Sequence, residues 1–159
     1  MLKYYNYDIL FQEVPDEVTL AVNITGCPNC CPGCHSTHLR KDIGAPLTEE
    51  VLGSLIKRYG ASITCLCFMG GDSDPEEVER LAGFSRSLQK GLKIAWYSGK
   101  NSLPEHFLLK NFNYIKLGEY LEALGGLKSK RTNQRFYAIG DNCIMKEITG
   151  KFSGTDFSI

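Results

Sequence analysis

The stretch ITCLCFM, residues 63–69, is a near-continuous apolar run set between two helical patterns, and it dictates the architecture. Such a run reads as a strand covered on both faces. Before it, Thr48 caps a helix with Glu49 and Glu50 in its first turn. Val51, Leu52, Leu55, Ile56 and Tyr59 form its apolar stripe, and Gly60 stops it. After the run, Asp74 and Pro75 open a second helix carrying Val78, Leu81, Ala82 and Leu88, which closes at Gly91. Residues 18–25 and 92–97 read as further strands, with a weaker helix over 104–112 and a short strand at 114–117. Strands alternating with helices predict an α/β chain with a parallel sheet built from βαβ units.

Beyond Glu119 the pattern changes. A helical turn near Tyr120 leads into the polar, Gly-rich stretch LGGLKSKRTNQR, and residues 136–148 predict a hairpin turning at Gly140, Asp141 and Asn142. The last nine residues, KFSGTDFSI, lack periodicity. At 159 residues, with no repeat or linker, a single domain spanning 1–159 is expected. Formal charge is zero, so no basic field argues for nucleic acid or an anionic membrane. No apolar run reaches spanning length, and MLKYYNYD does not read as a signal peptide. With seven cysteines, this predicts a cytoplasmic protein whose thiols serve metal or redox chemistry.

The cysteines are concentrated in TGCPNCCPGCHS, directly after the first predicted strand. Cys27, Cys31 and Cys34 have three residues and then two between them, a spacing that can hold three irons of a 4Fe–4S cluster. The fourth iron then keeps an open position for a ligand, as catalytic metal sites do. Cys30 offers a rival reading, two abutting C-x-x-C pairs on one zinc, although touching pairs leave no stretch to fold back. Cys65 and Cys67 share one strand face and read as core; Cys143 reads as structural, and His38 and His106 as solvated. Tyr4, Tyr5 and Tyr7 read as core or edge packing.

Special residues follow each predicted strand: the cysteines after the first, Gly70, Gly71 and Asp72 after the second, Ser98 and Gly99 after the third, Gly118 and Glu119 after the fourth. Parallel α/β sheets and barrels bind ligands at that edge.

C-x-x-x-C-x-x-C after the first strand, with GGD where GGE is usual, resembles the radical S-adenosylmethionine superfamily. Within it, the MGGD, the WYSG and the string YIKLGEYLEALGGLKSKRTNQRFY are similar to activating proteins of anaerobic ribonucleoside-triphosphate reductase. The resemblance covers about residues 20–137 and implies a partial (β/α) barrel of the radical S-adenosylmethionine type, ending in the C-terminal β-hairpin.

It also implies roles. Cys27, Cys31 and Cys34 would ligate three irons, and S-adenosyl-L-methionine would chelate the fourth. Gly70 and Gly71 would offer backbone carbonyls to the cofactor's ammonium, with Asp72 nearby. Gly33 and His35, flanking Cys34, would lie against the adenine, and Ser98 would hydrogen-bond the carboxylate or ribose. Reductive cleavage would give a 5′-deoxyadenosyl radical that takes an α-hydrogen from one glycine of the reductase, leaving a glycyl radical there. The implied partners are the glycyl-radical subunit of that reductase and a low-potential electron donor such as flavodoxin, with no nucleic acid and no membrane. SKRTNQR reads on its own as a solvated turn with ordinary loop charges; under the resemblance it would contact the partner, with Arg131 and Arg135 meeting carboxylates there, or support the rim.

The chain departs from that pattern. Many superfamily members have an aromatic residue where Gly33 stands, and Asp72 is one methylene shorter than the common glutamate. Two alternatives stay open: activation of another glycyl-radical enzyme, and a non-enzymatic zinc or iron–sulfur module.

Overall fold

The structure, a computed structural model, describes residues 1–29 and 37–153. Cys30, Cys31, Gly33, Cys34 and His35 lie outside the described residues.

Among the described residues, eight strands form one open sheet in the order β3-β1-β2-β4-β5-β6-β7-β8. They are β1 (Lys3–Leu10), β2 (Thr19–Ile24), β3 (Ala45–Pro46), β4 (Cys65–Met69), β5 (Lys93–Tyr97), β6 (Tyr114–Leu117), β7 (Arg135–Ile139) and β8 (Met145–Glu147). The centre, β2-β4-β5-β6, is parallel throughout. Both flanks are antiparallel: β1 pairs with β2 and β3, and β7 with β6 and β8. The parallel sheet expected from the alternation is confined to the four central strands, and the antiparallel β1–β3 flank was not expected. Strand β1 carries the period-mixed segment KYYNYDIL, whose partial exposure suits a flank, and it was not expected as a strand.

Helix α1 (Glu49–Tyr59) follows β3, and helix α2 (Pro75–Leu88) links β4 to β5. The Thr48 hydroxyl accepts from Val51 N–H at 3.2 Å, and Asp74 Oδ1 accepts from Glu77 N–H at 3.3 Å. These bonds satisfy orphan donors at each helix start. Gly60 ends α1 at φ −55°, outside the left-handed region. Its glycine answers a lack of space, because a Cβ there would sit 2.1 Å from Gln89 Oε1.

Period-two alternation divides the core. Leu20, Val22, Ile24, Leu66, Phe68, Ile94 and Trp96 face the helices, packing with Leu52, Leu55, Ile56, Val78 and Leu81. Cys65, Cys67 and Ala95 occupy the other face, where Val14, Phe136 and Ile148 cover them and Phe152 packs alongside. Both thiols are fully buried.

The helix expected over 104–112 is absent. Two separate turns replace it, Phe107 N–H to Pro104 O at 3.2 Å and Phe112 N–H to Leu109 O at 2.9 Å. Phe107 stacks on Trp96 with ring centroids 4.7 Å apart, and Phe112 tilts against both rings. A helix would place side chains five residues apart about 140° around its axis, at 3.6 residues per turn, and would separate those rings. A short helix α3 (Gly150–Ser153) follows the hairpin. Among the described residues, no helix is long and apolar enough to cross a membrane.

Candidate functional site

Because β2, β4, β5 and β6 are parallel neighbours, their C-terminal ends form one continuous rim. Cys27 follows β2, Gly70 to Asp72 follow β4, Ser98 and Gly99 follow β5, and Gly118 follows β6. Backbone bonds stitch it: Gly70 N–H reaches Tyr97 O at 3.0 Å and Ser98 N–H reaches Lys116 O at 2.9 Å. Beyond β2, Gly26 N–H donates to Lys41 O at 3.1 Å and Cys27 N–H to Leu39 O at 2.9 Å. The chain on either side of residues 30–36 is thereby pinned together at the rim.

Cys27 is half-buried. The side-chain amide of Asn29 lies 3.6 Å from its sulfur, close enough for an N–H···S bond, and 2.7 Å from Asp72 Oδ2. Asp72 accepts two further donors, Ser98 Oγ–H on Oδ1 at 2.6 Å and Gly99 N–H on Oδ2 at 2.8 Å. Its carboxylate thus joins the cysteine segment to the β5 end. Ser98 is fully buried, and its Oγ also accepts from Lys100 N–H at 3.1 Å.

Gly70 and Gly71 both sit at positive φ, 110° and 99°. The freedom of glycine is required there. Gly71 also presses on α2, where a Cβ would lie 2.6 Å from Val78 Cγ2. The Gly70 carbonyl accepts from the Trp96 indole N–H at 2.7 Å.

The rim brings together Cys27, Gly70, Gly71, Asp72 and Ser98 of the residues singled out in the sequence. The other expected contacts, Cys31, Gly33, Cys34 and His35, lie outside the described residues. Among the described residues, no group of three or more His, Cys, Asp or Glu side chains could hold a metal ion. Cys27 does fit a ligand thiolate: it is half-buried at the rim, with an amide N–H directed at its sulfur.

Sequence reasoning missed Asn29, Trp96 and Lys116. Lys116, only 8 % exposed, places Nζ 3.1 Å from Gly118 O and 5.7 Å from the centre of the Tyr97 ring. A lysine inside the short apolar strand YIKL was the available signal. Nothing in the sequence distinguishes Asn29 from an ordinary loop residue.

On the sheet face opposite α1 and α2, beside Tyr97, a cleft of about 360 Å³ is lined by Glu13, Tyr97, Tyr120, Lys128, Gln134 and Phe152 among others. A larger cavity of about 680 Å³ lies between α1 and α2 and contains no rim residue. Arg135 is exposed and folds back on its own loop, donating to Thr132 O and Gln134 O at 2.9 Å each and pairing with Glu147 at 3.4 Å. Those bonds support its own loop. Arg131, His38 and His106 are exposed. Cys143 is also exposed, at φ 59° in the hairpin turn, which corrects its reading as a structural cysteine.

Burial pushes the Cys65 thiol up to about 12, helped by the Glu17 charge, and raises Cys67 well above the ordinary thiol range. Both stay protonated and inert at neutral pH.

Comparison with family models, with curated proteins and with solved structures returned no match in any of the three.

Proposed function

We propose that this chain is a radical S-adenosylmethionine activase that generates a glycyl radical on anaerobic ribonucleoside-triphosphate reductase, drawing electrons from a low-potential donor such as flavodoxin. The observation that carries the reading is the link from Cys27 through Asn29 to Asp72, Ser98 and Gly99, which unites the first thiol of the cysteine motif with the GGD and YSG segments on one rim. A zinc or electron-transfer module has no need of that convergence.

In this reading Cys27, Cys31 and Cys34 hold a 4Fe–4S cluster. When bound, the cluster supplies one electron to the sulfonium of S-adenosyl-L-methionine. The chain itself binds and orients. The Gly70 and Gly71 carbonyls each accept one protein donor, from the Trp96 indole and the Asp74 N–H, so the cofactor's amino group would use their second lone pairs, and Ser98, buried and bonded to Asp72, would support the rim. Asp72 serves the protein first, since three of its own donors occupy the carboxylate. The parallel centre of the open sheet is the part compatible with a partial (β/α) barrel, and antiparallel strands flank it on both sides.

Anaerobic reconstitution tests this. The protein is expected to turn brown, hold about four irons per chain and release 5′-deoxyadenosine from S-adenosyl-L-methionine under a strong reductant. Incubation with the reductase should give a glycine-centred electron paramagnetic resonance signal. A colourless, zinc-loaded chain would end the proposal. Cofactor cleavage without that signal would point to a different glycyl-radical partner.

A further inference from the structure

The activase reading assigns no task to Asn29, which bonds at the rim to both Cys27 and Asp72. Asn29 carries a primary amide with two N–H donors. Its nitrogen lies 2.7 Å from Asp72 Oδ2 and 3.6 Å from Cys27 Sγ, so the two donors have two acceptors. The first bond is charge-assisted and directional, the kind that fixes an amide's orientation. The second is aimed at the sulfur that opens the cysteine motif.

Gly99 supplies an independent observation. It is absent from the positive-φ positions, so its backbone does not demand glycine. Space does. A Cβ at Gly99 would lie 2.6 Å from Asn29 Nδ2 and 3.4 Å from Asp72 Oδ2. The missing side chain at Gly99 therefore leaves room for the Asn29 amide, while the Gly99 N–H donates to the same carboxylate oxygen at 2.8 Å. With Ser98 on Oδ1, Asp72 is fixed from positions 29, 98 and 99 together.

We infer that Asn29 is a positioning residue: braced by Asp72 and seated against Gly99, it presents an N–H to the Cys27 sulfur and fixes that thiolate as the first iron ligand. The inference rests on the reading of Cys27 as a cluster ligand. Hydrogen bonds to cluster sulfurs are among the factors that set reduction potential, and a donor at a ligand thiolate stabilises the reduced, more negative state. The GGD aspartate thus acts on the cluster through Asn29.

The variants Asn29→Ala and Gly99→Ala test it from opposite sides. The first removes the donor. The second keeps every hydrogen-bonding group and displaces the amide. In the metal-free chain, backbone amide exchange over residues 25–29 should quicken severalfold in both variants. In reconstituted protein, spectroelectrochemistry should show the cluster potential moving to more negative values in both. Exchange that stays at the parent rate would overturn the brace. Faster exchange with an unmoved potential would overturn the contact to sulfur and leave Asn29 a loop tie. Should Asn29→Ala fail to fold, Gly99→Ala decides alone. A parent chain that takes up no iron sinks the cluster reading, and the exchange result still decides the brace.

Discussion

Trp96 and Gly70 are joined across two adjacent strand ends: the buried indole N–H donates to the glycine carbonyl at 2.7 Å. The largest fully buried side chain in the core thereby reaches the rim and holds the first glycine of GGD. Trp96→Phe keeps a ring against Phe107 and removes the donor. It is expected to lower stability by about 2–3 kcal/mol, from the lost bond and the cavity together. Urea unfolding should show a lower midpoint with an unchanged slope; a midpoint within error of the parent would show that the bond contributes nothing.

Two glycines at positive φ separate backbone strain from crowding. Around Gly91, at φ 86°, a Cβ would find nothing within 4 Å, whereas at Gly71, φ 99°, it would meet Val78 Cγ2 at 2.6 Å. Gly91→Ala should cost about 1 kcal/mol, the strain alone. Gly71→Ala should cost about 1–3 kcal/mol more, as overpacked cores do. Adding Val78→Ala to Gly71→Ala should recover part of that difference, and equal losses at the two glycines would remove crowding from the explanation.

Alkaline pH should weaken the fold through its buried thiols. Burial, then the charge of Glu17, raises Cys65 to about 12, and burial also raises Cys67 well above its ordinary value. The folded chain keeps these protons at a pH where the unfolded chain has released them. Stability is therefore fully present below the unfolded thiol value of about 8.5 and falls as pH rises above it, by about 1.4 kcal/mol per pH unit for each thiol. Lys93, raised by its bond to Glu17, acts in the same direction at higher pH. Urea unfolding under reducing conditions between about pH 8 and pH 10 should show the decline, and Cys65→Ala should make it shallower. A flat profile would contradict the burial argument.

Cysteine substitutions should divide by position. Cys27→Ala is expected to abolish iron uptake, and Cys143→Ala, in the exposed hairpin turn, to leave it intact. Cys30→Ala should also retain iron, since the spacing reading leaves that thiol outside the ligand set. Iron analysis of reconstituted variants reads all three, and iron lost with Cys30 would mean that the ligands were assigned wrongly.

The parallel centre of the sheet was legible because ITCLCFM and its neighbours are buried on both faces, and each helix beside them announces itself with a cap, Thr48 or Asp74. The rim was legible for the same reason: once strand order follows chain order, strand ends are neighbours. What failed depended on long-range packing. Phe107 and Phe112 read as helical until Trp96 claimed both rings. Strand β1 has no clean alternation, and its pairing with β2 settles it. Asp72 reads as a ligand contact in a GGD motif, yet its partners lie at positions 29, 98 and 99, separations that no local pattern encodes.

The terminal strands of the sheet carry a consequence for self-association. On one side stands β3, two residues long and containing Pro46; on the other stands β8, three residues long with Lys146 and Glu147. Short, charged or proline-bearing borders make poor templates for adding a foreign strand. Lateral growth into ribbons is discouraged on both sides, even though the strands between them are as apolar as those of many aggregating segments.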